Sequence, residues 1–291
     1  MALAALKPGL DTLYDGFNLD HSTRDPIWIV RRFADPADRE IVAFIASALA
    51  FGRVQSVIQT VEAVLGVMGD SPAAFVRAFT PERAPAFATL GHRWIRNRDL
   101  AALAWQLHQM LRDHGSLEGF FAAGHAVDAD SVEAGLESFS SRAMALDLTA
   151  IYGGTRPVPG VGYFFSRPAS GGACKRLNLF LRWVVRRDAV DLGLWTAVRP
   201  AQLIVPLDTH IIRVGRCLGM TTRVSPGWRM AVDITRTLRQ LNPDDPVCYD
   251  FAMCHLGMMG ACGFGTTRTS AQCPLHVVCR PQSNRRRRST P

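Results

Sequence analysis

Long hydrophobic runs and strand-like segments are scarce in this sequence of 291 residues. No run of 18 or more apolar residues occurs, so we expect no transmembrane helix of ordinary length. The N-terminal stretch is short and soon acidic, which is not typical of a secretory signal, and we expect a cytoplasmic protein without a membrane partner. Apolar residues make up 48% of the chain, which is enough for a packed core.

Several catalytic signatures are also missing. The sequence contains no phosphate-loop motif, no dinucleotide-binding fingerprint and no nucleophile-elbow motif. These absences argue against a small-molecule enzyme that uses nucleotides or a Ser-His-Asp triad. The seven cysteines are an odd number, which argues against a disulfide framework.

Lysine is almost absent, although the chain is basic. Only Lys7 and Lys175 are lysines among the 33 basic residues, and the formal net charge is +8 at pH 7. A positive net charge favours a polyanionic partner, and arginine suits bidentate phosphate contacts. A coding bias toward arginine is the alternative explanation for this composition.

Helical periodicity recurs through the chain and predicts an all-α protein. Residues 41–50 are nearly all apolar and predict a buried helix, and residues 54–68 carry an apolar stripe with helical spacing. Residues 51–53 are then a turn between two helices. Residues 150–172 are rich in proline and glycine and are predicted to be irregular. Further helices are predicted at residues 72–79, 99–114, 131–145, 175–187, 211–218, 228–240 and 247–259.

Two glycine-containing turns precede Lys175. Residues 158–162 read Val-Pro-Gly-Val-Gly, but Pro168 would interrupt a helix that follows them, so we predict a loop there. Residues 169–174 contain Gly171 and Gly172 and lead into a helical segment that begins with Lys175. We predict that this second turn presents backbone amides to a phosphate. A plain linker before a helix is the alternative.

Asp208 is an isolated carboxylate at the start of a predicted helix. Its ordinary role there is that of an N-cap. An ionised carboxylate at this position also stabilises a developing sugar oxocarbenium ion, and the apolar residues 204–207 before it keep water scarce. Asp208 and the amine of Lys175 therefore form the pair of groups needed to break an N-glycosidic bond, and we predict that both are catalytic.

These residues resemble the helix-hairpin-helix DNA glycosylase superfamily, the group of endonuclease III, adenine glycosylase and oxoguanine glycosylase. Residues 206–210, Pro-Leu-Asp-Thr-His, are close to its Val-Asp-Thr-His segment. The hairpin match is degenerate, because Ser170 stands at the family's proline and Ala173 at its second glycine. The separation of 33 residues between Lys175 and Asp208 implies an insertion around residues 188–200. The resemblance extends over about residues 40–280 and suggests a divergent, mostly uncharacterised bacterial branch.

The resemblance implies an all-α architecture with two lobes. A central helical domain with the hairpin would comprise residues 41–204. A second helical lobe, with Asp208 and the C-terminal cysteines, would comprise residues 1–40 and 205–280. Residues 281–291, with four consecutive arginines, are predicted to be a disordered basic tail that either contacts phosphates or is simply solvated.

The implied activity is that of a DNA glycosylase. Such an enzyme acts as a monomer on double-stranded DNA, flips out a damaged or modified base and cleaves its glycosidic bond to leave an abasic site. The role would be repair or defence against modified invading DNA, with the protein associated with the nucleoid. Either Lys175 or water would be the nucleophile, and the sequence does not identify the base. A helix-hairpin-helix protein that binds DNA without catalysis is the alternative function.

The resemblance also implies a set of DNA contacts. Arg53 or Gln55, in the turn after the first buried helix, would fill the gap left by the flipped nucleotide, although an ordinary turn with Gly52 as its C-cap is the alternative. The predicted phosphate contacts are Gly171, Gly172, Arg176 and Arg213. For Arg213, a solvated charged helix face is the alternative.

The C-terminal cysteines correspond to the iron–sulfur loop of the family, Cys-x6-Cys-x2-Cys-x5-Cys. Its first, third and fourth positions are matched by Cys262, Cys273 and Cys279. Ser270 stands at the second position, so Cys254 or His276 would supply the fourth ligand. The implied cofactor is a [4Fe-4S] cluster or zinc. A decayed site that binds no metal is the alternative.

Overall fold

The structure is a computed structural model that describes residues 5–16, 25–157, 159–258 and 275. These residues form helices and connecting loops with no strand, and two isolated β-bridges join His92 to Ile95 and Arg187 to Leu192. The predicted all-α class is confirmed for this part of the chain. None of the helices in these ranges is long and apolar enough to cross a membrane.

Within the described ranges, the α-helices include one at each predicted segment and four more that were not predicted. They are α1 (Lys7–Gly16), α2 (Ile27–Arg31), α3 (Pro36–Ala48), α4 (Val54–Met68), α5 (Pro72–Arg77), α6 (Asn97–His114), α7 (Leu117–Ala122), α8 (Glu133–Ala145), α9 (Thr149–Tyr152), α10 (Lys175–Val185), α11 (Thr209–Cys217), α12 (Trp228–Leu241) and α13 (Asp250–Met258). Those that were not predicted are α1, α2, α7 and α9. The 3-10 helices are Pro81–Phe87, Gly160–Phe164, Pro168–Ser170 and Pro200–Gln202.

Helix α3 begins five residues earlier than its apolar run. Asp35 is its N-cap and accepts a hydrogen bond from the backbone N–H of Ala37 at 2.7 Å, and Pro36 occupies the first helical position. Both are standard N-terminal signals. The predicted start at residue 41 was therefore wrong, because it followed hydrophobicity and not capping. Residues 41–48 are buried, as predicted, and Glu40 is buried as well, which was not predicted.

The segment before α10 is irregular in the way the prolines and glycines predicted. The Pro-Gly-Val-Gly sequence enters a short 3-10 helix, Gly160–Phe164, which ends before Pro168. A second 3-10 turn, Pro168–Ser170, leads directly to the glycine turn before Lys175. Val158 lies outside the described residues. The helical segment directly before the glycine turn is thus the single 3-10 turn Pro168–Ser170.

The two-lobed architecture and its predicted domain boundaries stay a prediction.

Helix α10 packs on the buried helix α3 and is joined to α13 by an ion pair. Phe180 of α10 meets Phe44 of α3 edge to face at 5.1 Å. Helix α13 packs against both α11 and α1. The buried apolar side chains of all these helices belong to one cluster. The beginnings of α10 and α11 are therefore held close to the end of α3 and to α13.

A buried network of ion pairs joins α10 to α13. Arg182 is bonded to Asp191 at 3.2 Å and to Asp250, the first residue of α13, at 2.6 Å. Arg186 is bonded to Asp191 as well, and to Asp245 at 2.8 Å. The two guanidinium groups and Asp191 are almost completely shielded from solvent. Paired buried charges fix the positions of the elements that carry them, because separating them exposes unpaired charge.

Candidate active site

A cavity of about 850 Å³ lies where several segments of the chain meet, including the 3-10 helix Gly160–Phe164 and residues 25–26 before α2. Four other segments contribute most of its lining. These segments are the loop between α3 and α4, the start of α10, the start of α11 and one face of α13. Both predicted catalytic residues, Lys175 and Asp208, line this cavity. The structure therefore brings together two side chains that are 33 residues apart in the sequence.

Both carboxylate oxygens of Asp208 are held by neighbouring groups. Asp208 is the N-cap of α11, and its Oδ1 accepts a hydrogen bond from the backbone N–H of Ile211 at 2.7 Å. Its Oδ2 accepts a hydrogen bond from Sγ of Cys254 on α13 at 3.2 Å. The side chain is half-buried. The predicted capping role is present, and the carboxylate is fixed in one orientation at the cavity wall.

The surroundings of Cys254 favour a protonated thiol. Burial raises the pKa of the Cys254 thiol well above its ordinary value, and the negative charges of Asp208 and Asp250 raise it further. A metal ligand must be a thiolate. Among the described residues no group of three or more metal-ligating side chains occurs. Cys254 is a hydrogen-bond donor to Asp208, a contact that no sequence pattern indicated. Its predicted role as the fourth metal ligand stays a prediction, because the other predicted ligands lie outside the described residues.

The predicted cysteine cluster lies outside the described residues. Cys262, Cys273 and Cys279 belong to that part of the chain, as do Ser270, His276 and residues 281–291. The iron–sulfur or zinc site therefore stays a prediction. Cys174 and Cys217 are both buried.

Lys175 is the first residue of α10 and is partly buried in the cavity wall. Its Nζ donates a hydrogen bond to the backbone carbonyl of Ala50, after the end of α3, at 3.4 Å. This distance is at the long limit for a hydrogen bond, so the contact is weak. The other lysine, Lys7, is exposed and pairs with Asp11 at 2.8 Å on α1. It does not line the cavity.

The turn before Lys175 is built from left-handed backbone conformations. Gly171 has φ +78° and Cys174, the residue before α10, has φ +48°. Gly171 accepts a hydrogen bond from the backbone N–H of Trp228 at 3.0 Å, which anchors the turn to the start of α12. Gly171 and Gly172 are exposed, and a Cβ at either would meet nothing within 4 Å. The turn is therefore open to solvent on the side where a phosphate contact is predicted.

Arg176 does not point outward, as its prediction as a phosphate contact requires. Its guanidinium lies 3.5 Å from the centre of the Tyr163 ring and donates to the Tyr163 carbonyl oxygen. Burial lowers its pKa to about 10. One guanidinium nitrogen, Nη1, is buried without a hydrogen-bond partner. The Arg176 side chain folds back on the cavity wall and packs against Tyr163. In this conformation it is not placed to contact a phosphate.

The remaining predicted DNA contacts are on the surface. Arg53 and Gln55 are exposed at the start of α4, next to the cavity-lining residue Val54. Arg213 is exposed on α11. None of these three lines the cavity. Their predicted roles at phosphates or in the gap of a flipped nucleotide stay predictions.

Several further residues line the cavity and were given no role in it by the sequence analysis. Arg182 and Asp250 belong to the buried ion network and reach the cavity wall. His210 also lines the cavity, with its Nδ1 buried and without a hydrogen-bond partner. Phe51 and Tyr163 form an aromatic wall, with their ring centres 4.9 Å apart. No local pattern indicates that these residues share one cavity, because they come from separate elements.

The comparisons with known proteins give a family and no activity. A family model described as "Protein of unknown function (DUF2400)" matches residues 25–259. No curated protein and no solved structure matches the chain. The matched range includes the whole lining of the cavity and ends before Cys262.

Proposed function

We propose that this chain, which belongs to the family of unknown function whose model matches residues 25–259, is a DNA glycosylase. The observation that carries the proposal is that Lys175 and Asp208 line one cavity. A fixed carboxylate can stabilise the positive charge that develops at a glycosidic carbon, and an amine beside it can act as the nucleophile there. The net charge of +8 supports DNA as the substrate.

The volume and the aromatic lining of the cavity support a nucleobase as its occupant. The cavity volume, about 850 Å³, falls in the range of about 300–1,000 Å³ typical of small-ligand sites. A base in a duplex hides its glycosidic bond, so the enzyme must extrude the nucleotide. The aromatic wall of Phe51 and Tyr163 offers stacking surface to a flipped base, modified bases included.

Asp208 would act on the charge that develops as the base leaves. The departing base takes the electrons of the glycosidic bond, and the sugar becomes positive at C1′ and the ring oxygen. A fixed carboxylate near that position stabilises the charge without having to reorient during the reaction. The hydrogen bonds from Ile211 and Cys254 provide this fixed orientation.

The nucleophile would be Lys175 or water. If Nζ of Lys175 attacks C1′, a C1′–Nζ bond replaces the bond to the departing base. Loss of a proton from Nζ and cleavage of the C1′–O4′ bond then open the sugar ring to a Schiff base, and strand cleavage at the abasic site can follow. If water attacks, the product is a plain abasic site. Among the described residues, Lys175 is the lysine at the cavity, and its weak contact with Ala50 leaves the amine able to turn toward a substrate.

The experiment that tests the function measures release of a base. Duplex DNAs that carry oxidised, alkylated or naturally modified bases are incubated with the purified protein, and released bases are identified by mass spectrometry. The proposal requires release from at least one of them. A protein that binds these DNAs with the usual dependence on salt but releases nothing would be the non-catalytic DNA-binding protein, the second candidate.

We expect any covalent intermediate to map to Lys175. Borohydride reduction during reaction with the DNA identified above should trap an adduct, and peptide mapping should find it on Lys175. The adduct should be lost in Lys175→Ala and retained in the control Lys7→Ala, because the Lys7 side chain pairs with Asp11 away from the cavity. An adduct on Lys7 would overturn the assignment. Base release without any adduct would identify water as the nucleophile.

We also propose that the protein carries iron or zinc held by the three C-terminal cysteines at positions 262, 273 and 279. Three thiolates at this spacing fit such a site, and its role would be structural. Protein purified without oxygen should contain close to one cluster or one zinc per chain, and Cys273→Ala should lose it. Less than about a tenth of an equivalent of either metal in the parent protein would refute this.

A further inference from the structure

An exposed tryptophan stands beside the mouth of the cavity, in the turn between the 3-10 helix Pro81–Phe87 and α6. The turn is closed by two backbone hydrogen bonds between His92 and Ile95, at 2.9 and 2.8 Å. Arg93 takes a left-handed conformation at its tip, with φ +54°. Trp94 follows it and is 44% exposed, an unusual exposure for so large an apolar side chain.

The turn is fixed rigidly against the cavity wall. The ring of His92 is buried and hydrogen-bonded at both nitrogens, to Thr60 Oγ1 and to the Phe51 carbonyl oxygen, each at 2.9 Å. Gly52 has φ +92°, and a Cβ there would lie 2.9 Å from Nη1 of Arg93. A side chain at position 52 would therefore be strained in this backbone conformation and would push the Arg93 side chain aside.

The indole of Trp94 continues the aromatic wall of the cavity out to the surface. It stacks on Phe51, with ring centres 5.0 Å apart and an interplanar angle of 26°, and meets Tyr163 edge to face at 5.2 Å. Phe51 and Tyr163 line the cavity, whereas Trp94 stands outside it. One face of the indole is thus supported by the wall, and almost half of the side chain remains exposed.

The charges around Trp94 identify the chemistry of its partner. Residues 91–98 contain three arginines and no acidic residue. The guanidinium of Arg93 lies 5.5 Å from the centre of the indole ring, and Arg53 is exposed at the start of α4. A rigid aromatic surface among arginines matches a nucleobase with its flanking phosphates, because the ring stacks on the base and the cations contact the backbone.

We propose that the Arg93–Trp94 turn is a nucleobase-stacking element that contacts the DNA next to the flipped nucleotide. This proposal rests on the proposed function, and it assigns to Trp94 the contact with the disrupted base stack that the sequence analysis gave to Arg53 or Gln55. Trp94 stacks on an unstacked base beside the cavity and so holds the duplex open while the neighbouring nucleotide occupies the cavity.

The test measures binding, so it does not depend on catalysis. The probe is a duplex oligonucleotide with a tetrahydrofuran abasic analogue and a fluorescent 2-aminopurine beside it. The parent protein should bind this duplex and quench the 2-aminopurine. Trp94→Ala should weaken binding by about 5- to 150-fold, the range for loss of one stacked base, and should abolish the quenching. Trp94→Phe should keep most of both.

The matched control is Trp28→Ala. Trp28 is 43% exposed on α2 and does not line the cavity, so its removal should change neither binding nor quenching. Thermal unfolding should show that both alanine variants are folded. Parental binding and quenching by Trp94→Ala would overturn the stacking proposal alone. A parent protein that does not bind the duplex at all would overturn the stacking proposal and the proposed function together.

Discussion

Replacement of Asp208 by Asn should reduce base release on the order of 10²-fold or more and leave DNA binding nearly unchanged. The carboxylate is proposed to stabilise charge that exists only in the transition state. An amide has no negative charge for this purpose, although it has nearly the same shape. The rate of release is measured by mass spectrometry under single-turnover conditions, which separate chemistry from the release of product.

The Asp208→Asn substitution removes the negative charge but keeps the hydrogen bond that caps α11. Oδ1 of Asp208 caps α11 by accepting from the backbone N–H of Ile211, and asparagine is as good an N-cap as aspartate. The amide nitrogen that replaces Oδ2 cannot accept from Sγ of Cys254, so the unfolding temperature of Asp208→Asn should be slightly below that of the parent. Asp208→Ala removes the cap as well and should lose about 1 kcal/mol of stability in addition to the activity. Base release at the parental rate by folded Asp208→Asn would exclude Asp208 as the catalytic carboxylate.

Replacement of Arg186 by Met should lower the free energy of unfolding by about 3–5 kcal/mol. The Arg186 guanidinium is almost fully buried and bonded to Asp188, Asp191 and Asp245. Methionine fills much of the same volume but leaves these carboxylates with fewer cations. The cost comes from buried negative charge that has lost its partner, and it is measured by urea denaturation.

The same substitution at an exposed pair provides the control. Arg32 is bonded to Glu62 at 2.8 Å, but both side chains are more than 40% exposed. Because water screens such a pair, Arg32→Met should change stability by less than about 1 kcal/mol. If Arg186→Met were no more destabilising than Arg32→Met, the buried network would not hold α10 and α13 together.

The sequence predicted local features well because their causes are local. The helical period and the caps act within a few residues, so most of the longer helices and the role of Asp208 as the N-cap of α11 followed from neighbouring residues. The helices α1, α2, α7 and α9 were not predicted. The glycine turn before Lys175 was predictable for the same reason, since Gly171 needs a left-handed conformation. The start of α3 was missed because the apolar run was given more weight than the cap at Asp35.

The surroundings of the two predicted catalytic residues were not predictable. Arg182 and Arg186 are four residues apart on α10, a pattern that in a sequence indicates a solvated face. Both are buried, because acidic residues from the loop after α10 and from the region of α13 meet them there. Arg176 was predicted to contact phosphate, but its guanidinium lies over Tyr163. In each case the partner is too far away in the sequence for any local pattern to indicate it.

The sequence by itself determined an all-α chain, the glycine turn before Lys175 and the capped helix start at Asp208. Only the tertiary structure decided that Lys175 and Asp208 share a cavity, that Cys254 holds Asp208 in place and that Trp94 extends the cavity wall to the surface. The physical reason is that helix formation and capping depend on neighbours in the chain. A cavity depends on which helix faces are buried against each other, and that is settled by packing over the whole core.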